Sequence, residues 1–269
     1  MGRIGTALVA LALLAAGAAG AQGCGGADAP CEVEVGSYHL RLPDGAEGPV
    51  PVLLFFHGHN ASGRMVFGAG GLERDFLEQG YAIVAPNGPA RANGVRSWAG
   101  QGAQGARDVA FVLAVLDDVG ARVSLGPVFA AGFSAGGSMA WLMGCAAPER
   151  IAGVAAVAGA LRRPLPERCV GAVPLWHVHG FADRQVPLEG RAIGGWHQGD
   201  VGEALAIRRA ANGCRSEPDV IAVDAPFRCR TWSSCGGAPV RLCLHDGGHG
   251  LPPGWTARAR AFLEAATAD

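Results

Sequence analysis

The segment Gly132-Phe133-Ser134-Ala135-Gly136-Gly137 constrains this chain more than any other, because of what flanks it. An apolar run, Val128 to Ala131, stands before it, and another, Met139 to Met143, follows. That order reads as strand, sharp turn, helix, with a serine on the turn. Such a serine sits in a strained backbone conformation with its hydroxyl pushed out at the end of a sheet. Glycines flank it because side chains would collide where strand and helix cross closely. In a chain with 43 glycines the pattern alone also reads as an ordinary glycine-rich turn, so its context has to decide.

The context is an alternation of strands and helices. Pro51 to Phe56 is a continuous apolar run, as expected of a strand buried on both faces, and it ends in His57-Gly58-His59-Asn60. Tyr81 to Ala85, Ile151 to Val157 and Val173 to Val178 read the same way. Helical periodicity runs over Leu72 to Gln79, Asp108 to Val119, Gly202 to Ala211 and Trp255 to Ala266. Glu32 to Leu42 alternates as one half-exposed strand, and Asp219 to Val223, Phe227 to Trp232 and Val240 to His245 read as late strands. Pro89 to Ala106 reads as a long loop with an exposed Trp98. This is the pattern of an α/β fold with a mostly parallel sheet wrapped by helices. With 269 residues, 49% of them apolar, the chain can bury one substantial core, so residues 22–269 are expected to form a single domain. A formal net charge of -1 and the absence of a basic run argue against nucleic acid as a partner.

Met1 to Ala21 carries Arg3, an apolar run from Ile4 to Ala16, and Ala19-Gly20-Ala21 as a small-residue cleavage site, which together read as a secretory signal. The run is short for a membrane span, and no other segment comes close. A lipoprotein signal with Cys24 lipidated is the alternative, but Ala21 stands where a leucine is usual. All eight cysteines lie beyond the cleavage site and can pair without remainder, which favours free secretion, extracellular or periplasmic. Cys229 and Cys243 lie symmetrically about Cys235-Gly236-Gly237, suggesting two antiparallel strands bridged across; Cys214 with Cys235, Cys145 with Cys169 and Cys24 with Cys31 then follow as hypotheses. No C-x-x-C pair points to zinc.

A serine hydroxyl needs a neutral imidazole to take its proton and a buried carboxylate to hold that imidazole. The order expected in this fold class is serine, acid, histidine, each on a loop at the carboxyl end of a strand. Asp183, in His179-Gly180-Phe181-Ala182-Asp183 directly after a strand, is the acid candidate. Asp200 reads as a helix cap, and Asp219 and Asp224 flank a strand in a cysteine-rich region. His249, in Asp246-Gly247-Gly248-His249-Gly250, is the base candidate, while its rival His245 belongs to the strand before it. The developing oxyanion would be held by the backbone N–H groups of Ala135 and His59.

On these motifs the chain resembles the secreted polyhydroxybutyrate depolymerase and feruloyl or acetylxylan esterase group of α/β-hydrolases. The resemblance is carried by His57-Gly58-His59, Gly132 to Gly137, His179 to Pro187, Asn212-Gly213-Cys214 and Gly247 to Pro252. It implies the α/β-hydrolase fold, a Ser134, Asp183, His249 triad, and hydrolysis of carboxylic esters without metal or organic cofactor. The expected substrates are hydroxyalkanoate oligomers or polyester, feruloyl esters or short-chain acyl esters. The chain departs from the family at His59, Ala99 and Leu251, where Cys, Asn and Trp are common. Trp98 and Trp255 are candidates to line the substrate groove. Two other readings stay open: a serine peptidase of the same fold, and a metal hydrolase using His57, His59, His177 and His179, since residues two apart on a strand face the same way.

Overall fold

The computed structural model describes residues 24, 29–68, 71–236 and 238–268; the expected signal segment lies outside them. In chain order the strands are β1 (Cys31–Val33), β2 (Gly36–Arg41), β3 (Val50–Phe56), β4 (Ala82–Pro86), β5 (Leu125–Phe133) and β6 (Gly153–Val157). They continue as β7 (Arg162–Arg163), β8 (Leu175–Gly180), β9 (Ala192–Ile193), β10 (Trp196–Gln198), β11 (Val220–Asp224), β12 (Phe227–Trp232) and β13 (Val240–His245). The helices are α1 (Gly63–Val66), α2 (Leu72–Asp75), α3 (Gly102–Arg122), α4 (Ala135–Ala146), α5 (Val201–Ala211) and α6 (Trp255–Ala265).

Ten strands form one sheet in the order β1-β2-β4-β3-β5-β6-β8-β13-β12-β11. From β4 to β13 the neighbours are parallel, and antiparallel hairpins extend the sheet at both edges. The parallel strands are covered on both faces, which is why they read as unbroken apolar runs. In β3, Val52, Leu54 and Phe56 enter a core shared with α3, α4 and α5, while Leu53 and Phe55 enter a second core shared with α1, α2 and α6. A period of two thus sorts one apolar strand into two layers. This is the α/β-hydrolase architecture expected from the sequence.

Local departures have local causes. The stretch read as one strand from Glu32 is the hairpin β1-β2, turning at Glu34-Val35 and pairing Cys31 with Tyr38. The helix read over Leu72 to Gln79 breaks at Phe76 (φ -129°, ψ -58°), whose fully buried ring packs edge-on to Tyr81, and continues as a turn of 3-10 helix. α3 starts at Gly102, so the end of the expected loop is its first turn. Trp98 is buried rather than exposed: it packs edge-on to Phe56 at 5.2 Å, stacks on Phe111, and donates its Nε1–H to the His57 carbonyl at 3.0 Å. An indole whose N–H finds a carbonyl is more stable inside.

Disulfides join Cys24 to Cys31, Cys145 to Cys169, Cys214 to Cys235 and Cys229 to Cys243, the last between direct register partners on β12 and β13. Buried imidazoles brace other elements. His57, at the end of β3, donates from Nδ1 to the Gly58 carbonyl and accepts the Gly88 N–H at Nε2, which ties β3 to the loop after β4. His177 on β8 accepts the Trp141 indole N–H of α4 at Nδ1. Both are held neutral by burial, with His57 lowered to about 4 and His177 well below its ordinary value.

Two stability predictions follow from this bracing. Cys145 and Cys169 are 24 positions apart. Replacing both by Ala should lower the unfolding free energy by about 3 kcal/mol in a urea titration; an unchanged midpoint would show the bridge to be dispensable. A histidine with a folded-state pKa below its unfolded value of about 6.5 binds its proton more readily when unfolded. Stability is therefore full above that value and is lost as pH falls towards about 4. His57 alone should account for about 3 kcal/mol of this loss. Melting temperatures that stay flat across that window would contradict the assignment.

Candidate active site

Ser134 directly follows β5 and is the N-cap residue of α4, with φ 58° and ψ -121°. A non-glycine residue in this region is strained, and the strain is held by packing on both sides. Its N–H donates to the Val157 carbonyl, and its own carbonyl accepts the Ser138 N–H. The flanking glycines are required by close approach. A Cβ on Gly136 would lie 1.9 Å from the Phe56 carbonyl oxygen, and one on Gly132 would lie 2.4 Å from that of Gly136. No larger residue fits where α4 crosses the ends of β3 and β5.

His249, in the loop after β13, reaches this serine. Its Nε2 is 2.9 Å from Ser134 Oγ, and its Nδ1 is 2.7 Å from Asp183 Oδ2. An ionised carboxylate only accepts, so the imidazole proton sits on Nδ1 and Nε2 is free to accept the serine O–H. Phe133 packs against the ring at 4.8 Å. Asp183 is buried, and its Oδ1 accepts the N–H groups of Gln185 and Val186 at 2.8 and 2.9 Å.

A line of donors leads to that aspartate's loop. The Trp141 indole can only donate, so His177 Nδ1 accepts and its Nε2–H donates to His179 Nδ1 at 3.0 Å. His179 then donates its Nε2–H to the Val186 carbonyl at 2.7 Å, with Asp183 Oδ2 3.5 Å away. Tautomers that would be free in isolation are thus set one after another from a single indole. His179 is pushed down mainly by burial, which keeps it neutral. Trp141 and the role of this histidine pair were not anticipated. The spacing of two along a buried strand was the available signal, but it does not say what the rings face.

With both ring nitrogens of His57, His177 and His179 engaged by protein groups, the four histidines of the metal reading supply no ligand set. Among the described residues, no group of three or more His, Cys, Asp or Glu is placed to hold a metal ion. The rejected acid and base candidates have other partners. Asp200 caps α5 by accepting the Glu203 N–H, Asp219 accepts the Ser233 and Ser234 N–H groups, and His245 accepts the Gly247 N–H.

A cavity of about 600 Å³ opens beside Ser134 and is lined by His59, Ala135 and His249 among others. Neither Trp98 nor Trp255 lines it. Each is 1% exposed, Trp255 stacking on Trp176 within the second core. The tryptophan that does line it is Trp196 on β10, part of a small sheet ordered β7-β10-β9 whose segments carried no strand signal in the sequence. Two- and three-residue strands are too short for periodicity to reveal.

Residues 51–188 match the family described as alpha/beta hydrolase fold. The chain is 30% identical over 232 residues to feruloyl esterase C of Emericella nidulans, covering 81% of this chain and 77% of that protein. A stretch of 86 residues is 43% identical to the NocK protein of Nocardia uniformis subsp. tsuyamanensis, covering 31% of this chain but only 25% of that one. Among solved structures, an acetyl xylan esterase from Aspergillus awamori superposes with a TM-score of 0.64 at 13% identity, covering 84% of this chain and 93% of that one. With a serine, an imidazole and a carboxylate in hydrogen-bonded sequence at the carboxyl end of its sheet, the chain belongs to the α/β-hydrolase fold family, as a carboxylic ester hydrolase.

Proposed function

We propose that the protein is an exported serine esterase in which Ser134 is the nucleophile, His249 the general base and acid, and Asp183 the residue that orients and stabilises His249. The hydrogen-bonded line Ser134 Oγ, His249 Nε2 and Nδ1, Asp183 Oδ2 carries this reading. Ser134 Oγ attacks the ester carbonyl carbon while its proton passes to His249 Nε2. The oxyanion that forms is held by the N–H groups of Ala135 and His59. Ala135 begins α4, where unpaired N–H groups and the helix dipole both favour negative charge, and His59 lines the same cavity. Collapse of the intermediate expels the alcohol, which takes the proton from His249. Water, deprotonated by the same imidazole, then releases the acid from Ser134.

Export is supported by the four disulfides, which leave no described cysteine free, and by the leader-like composition of residues 1–21. No helix among the described residues is long and apolar enough to cross a membrane. The substrates proposed are hydroxyalkanoate oligomers, feruloyl esters and short-chain acyl esters, the second supported by the likeness to feruloyl esterase C.

Ser134→Ala should lower kcat on a short nitrophenyl ester by a factor on the order of 10⁴ or more, with the melting temperature nearly unchanged. A serine-directed phosphonate should label residue 134; equal rates in variant and wild type would remove the assignment. Trp141→Phe deletes the donor that sets the His177 and His179 tautomers. It should lower kcat roughly threefold to tenfold with KM little changed, and an unaltered kcat would show that Asp183 does not depend on that line.

A further inference from the structure

In the cavity beside Ser134 the formal charge is all of one sign. Arg91, Arg162 and Arg191 line it, and among the described residues no Asp or Glu does. The whole chain has a formal net charge of -1, so this is a local concentration and not general basicity. The three come from separate segments: the loop after β4, strand β7, and the residue just before β9.

Elsewhere arginines meet acids, as in Arg41 with Glu73, Arg150 with Asp117, Arg228 with Asp246 and Arg260 with Glu264. The cavity arginines form no such pair among the described residues. Arg191 Nε donates only to the Gln185 carbonyl, at 3.1 Å. Arg162 Nη1 donates to the carbonyls of Trp98 and Ala99 at 2.7 and 3.1 Å, and its Nε is buried with no acceptor. Asp108 acts on Arg162 through space, but its Oδ2 is already held by the Ala99 and Gly100 N–H groups at 2.7 and 3.3 Å. Burial lowers the Arg162 pKa to about 10, with Arg91 adding repulsion, which still leaves it cationic at neutral pH. A largely desolvated cation whose direct hydrogen bonds go only to carbonyls, with Asp108 acting only through space, is under-compensated, and an anion entering the cavity supplies a direct partner.

The position suits a substrate. The Arg162 stem and the Ser138 side chain flank the same residue, Gly100, and Ser138 lies four residues past Ser134, about 6 Å along the axis. We infer that this cavity selects esters that carry a carboxylate, held by Arg162 with Arg91 and Arg191 at the rim. The inference rests on Ser134 being the nucleophile. The planar guanidinium fork matches a carboxylate in a way a neutral acyl chain cannot exploit. The carboxylate can belong to the acyl half, as in a monoester of a dicarboxylic acid, or to the alcohol half, as in an acylated hydroxy acid.

Two substrate pairs distinguish these sources: mono-para-nitrophenyl glutarate against para-nitrophenyl pentanoate, and acetylated β-hydroxybutyrate against its amide. In at least one pair, kcat/KM for the anionic member should be higher by about tenfold or more. That ratio should fall as salt rises from about 0.05 to about 0.5 M. It should also fall about tenfold in Arg162→Gln and in the rim double variant Arg91→Gln with Arg191→Gln, which leaves the Trp98 and Ala99 carbonyls held should Arg162→Gln fail to fold. A ratio of one or less in both pairs, or one unchanged in the rim double variant, overturns the inference. If hydrolysis survives Ser134→Ala, the nucleophile assignment alone fails. Calorimetric titration of glutarate against glutaramide into that variant then decides the cavity: tighter glutarate upholds it and equal affinity overturns it.

Discussion

Helix α4 approaches the ends of β3 and β5 so closely that the backbone there has little freedom. A chain that leaves a strand and enters a helix through a single residue has to put that residue in an unfavourable conformation, and Ser134 sits at φ 58°. The contact between Gly136 and the Phe56 carbonyl leaves no room for a Cβ, and retreat of the helix would open the core that α4 shares with α3 and α5. The same approach sets the N-terminus of α4 directly after Ser134, and a helix N-terminus favours negative charge. Backbone strain, glycine placement and site electrostatics are therefore one constraint seen three ways.

Around this elbow the protein relies on neutral imidazoles and indoles to hold polar groups in place. His57 joins the loops after β3 and β4, and its carbonyl receives the Trp98 indole. Trp141, His177 and His179 form a directional line that ends on the Val186 carbonyl, while the Val186 N–H turns back to Asp183. Buried donors and acceptors without partners are costly, so each ring is held in one tautomer by its neighbour. The line explains in physical terms why two histidines two apart stand on the strand before the aspartate: their rings tie the backbone of residue 186, which also holds Asp183.

The cavity combines two unlike walls. One is the sheet end with Ser134 and His249; the other is built from excursions after β4 and β6 and from the small sheet, which bring in arginines and Trp196. The first wall is built at the ends of the central strands and holds Ser134 and His249 within hydrogen-bonding distance. The second comes from loops, which is where proteins of one fold acquire different substrates.

The α/β architecture was legible along the chain, since strands buried on both faces must be apolar throughout and helices between them must show a period near 3.6. The sequence also singled out Ser134, Asp183 and His249 as candidates, because chain order and glycine-flanked turns are local features that can be read along one dimension. Long-range packing was needed to show that Trp98 and Trp255 are core residues, that His57, His177 and His179 are braces, and that Trp141 sets the tautomers of the last two. Only that packing gathered three arginines distant in sequence around one cavity. Burial, hydrogen-bond direction and the pooling of charge depend on what folds back against a residue from far along the chain, and no periodicity or spacing records that.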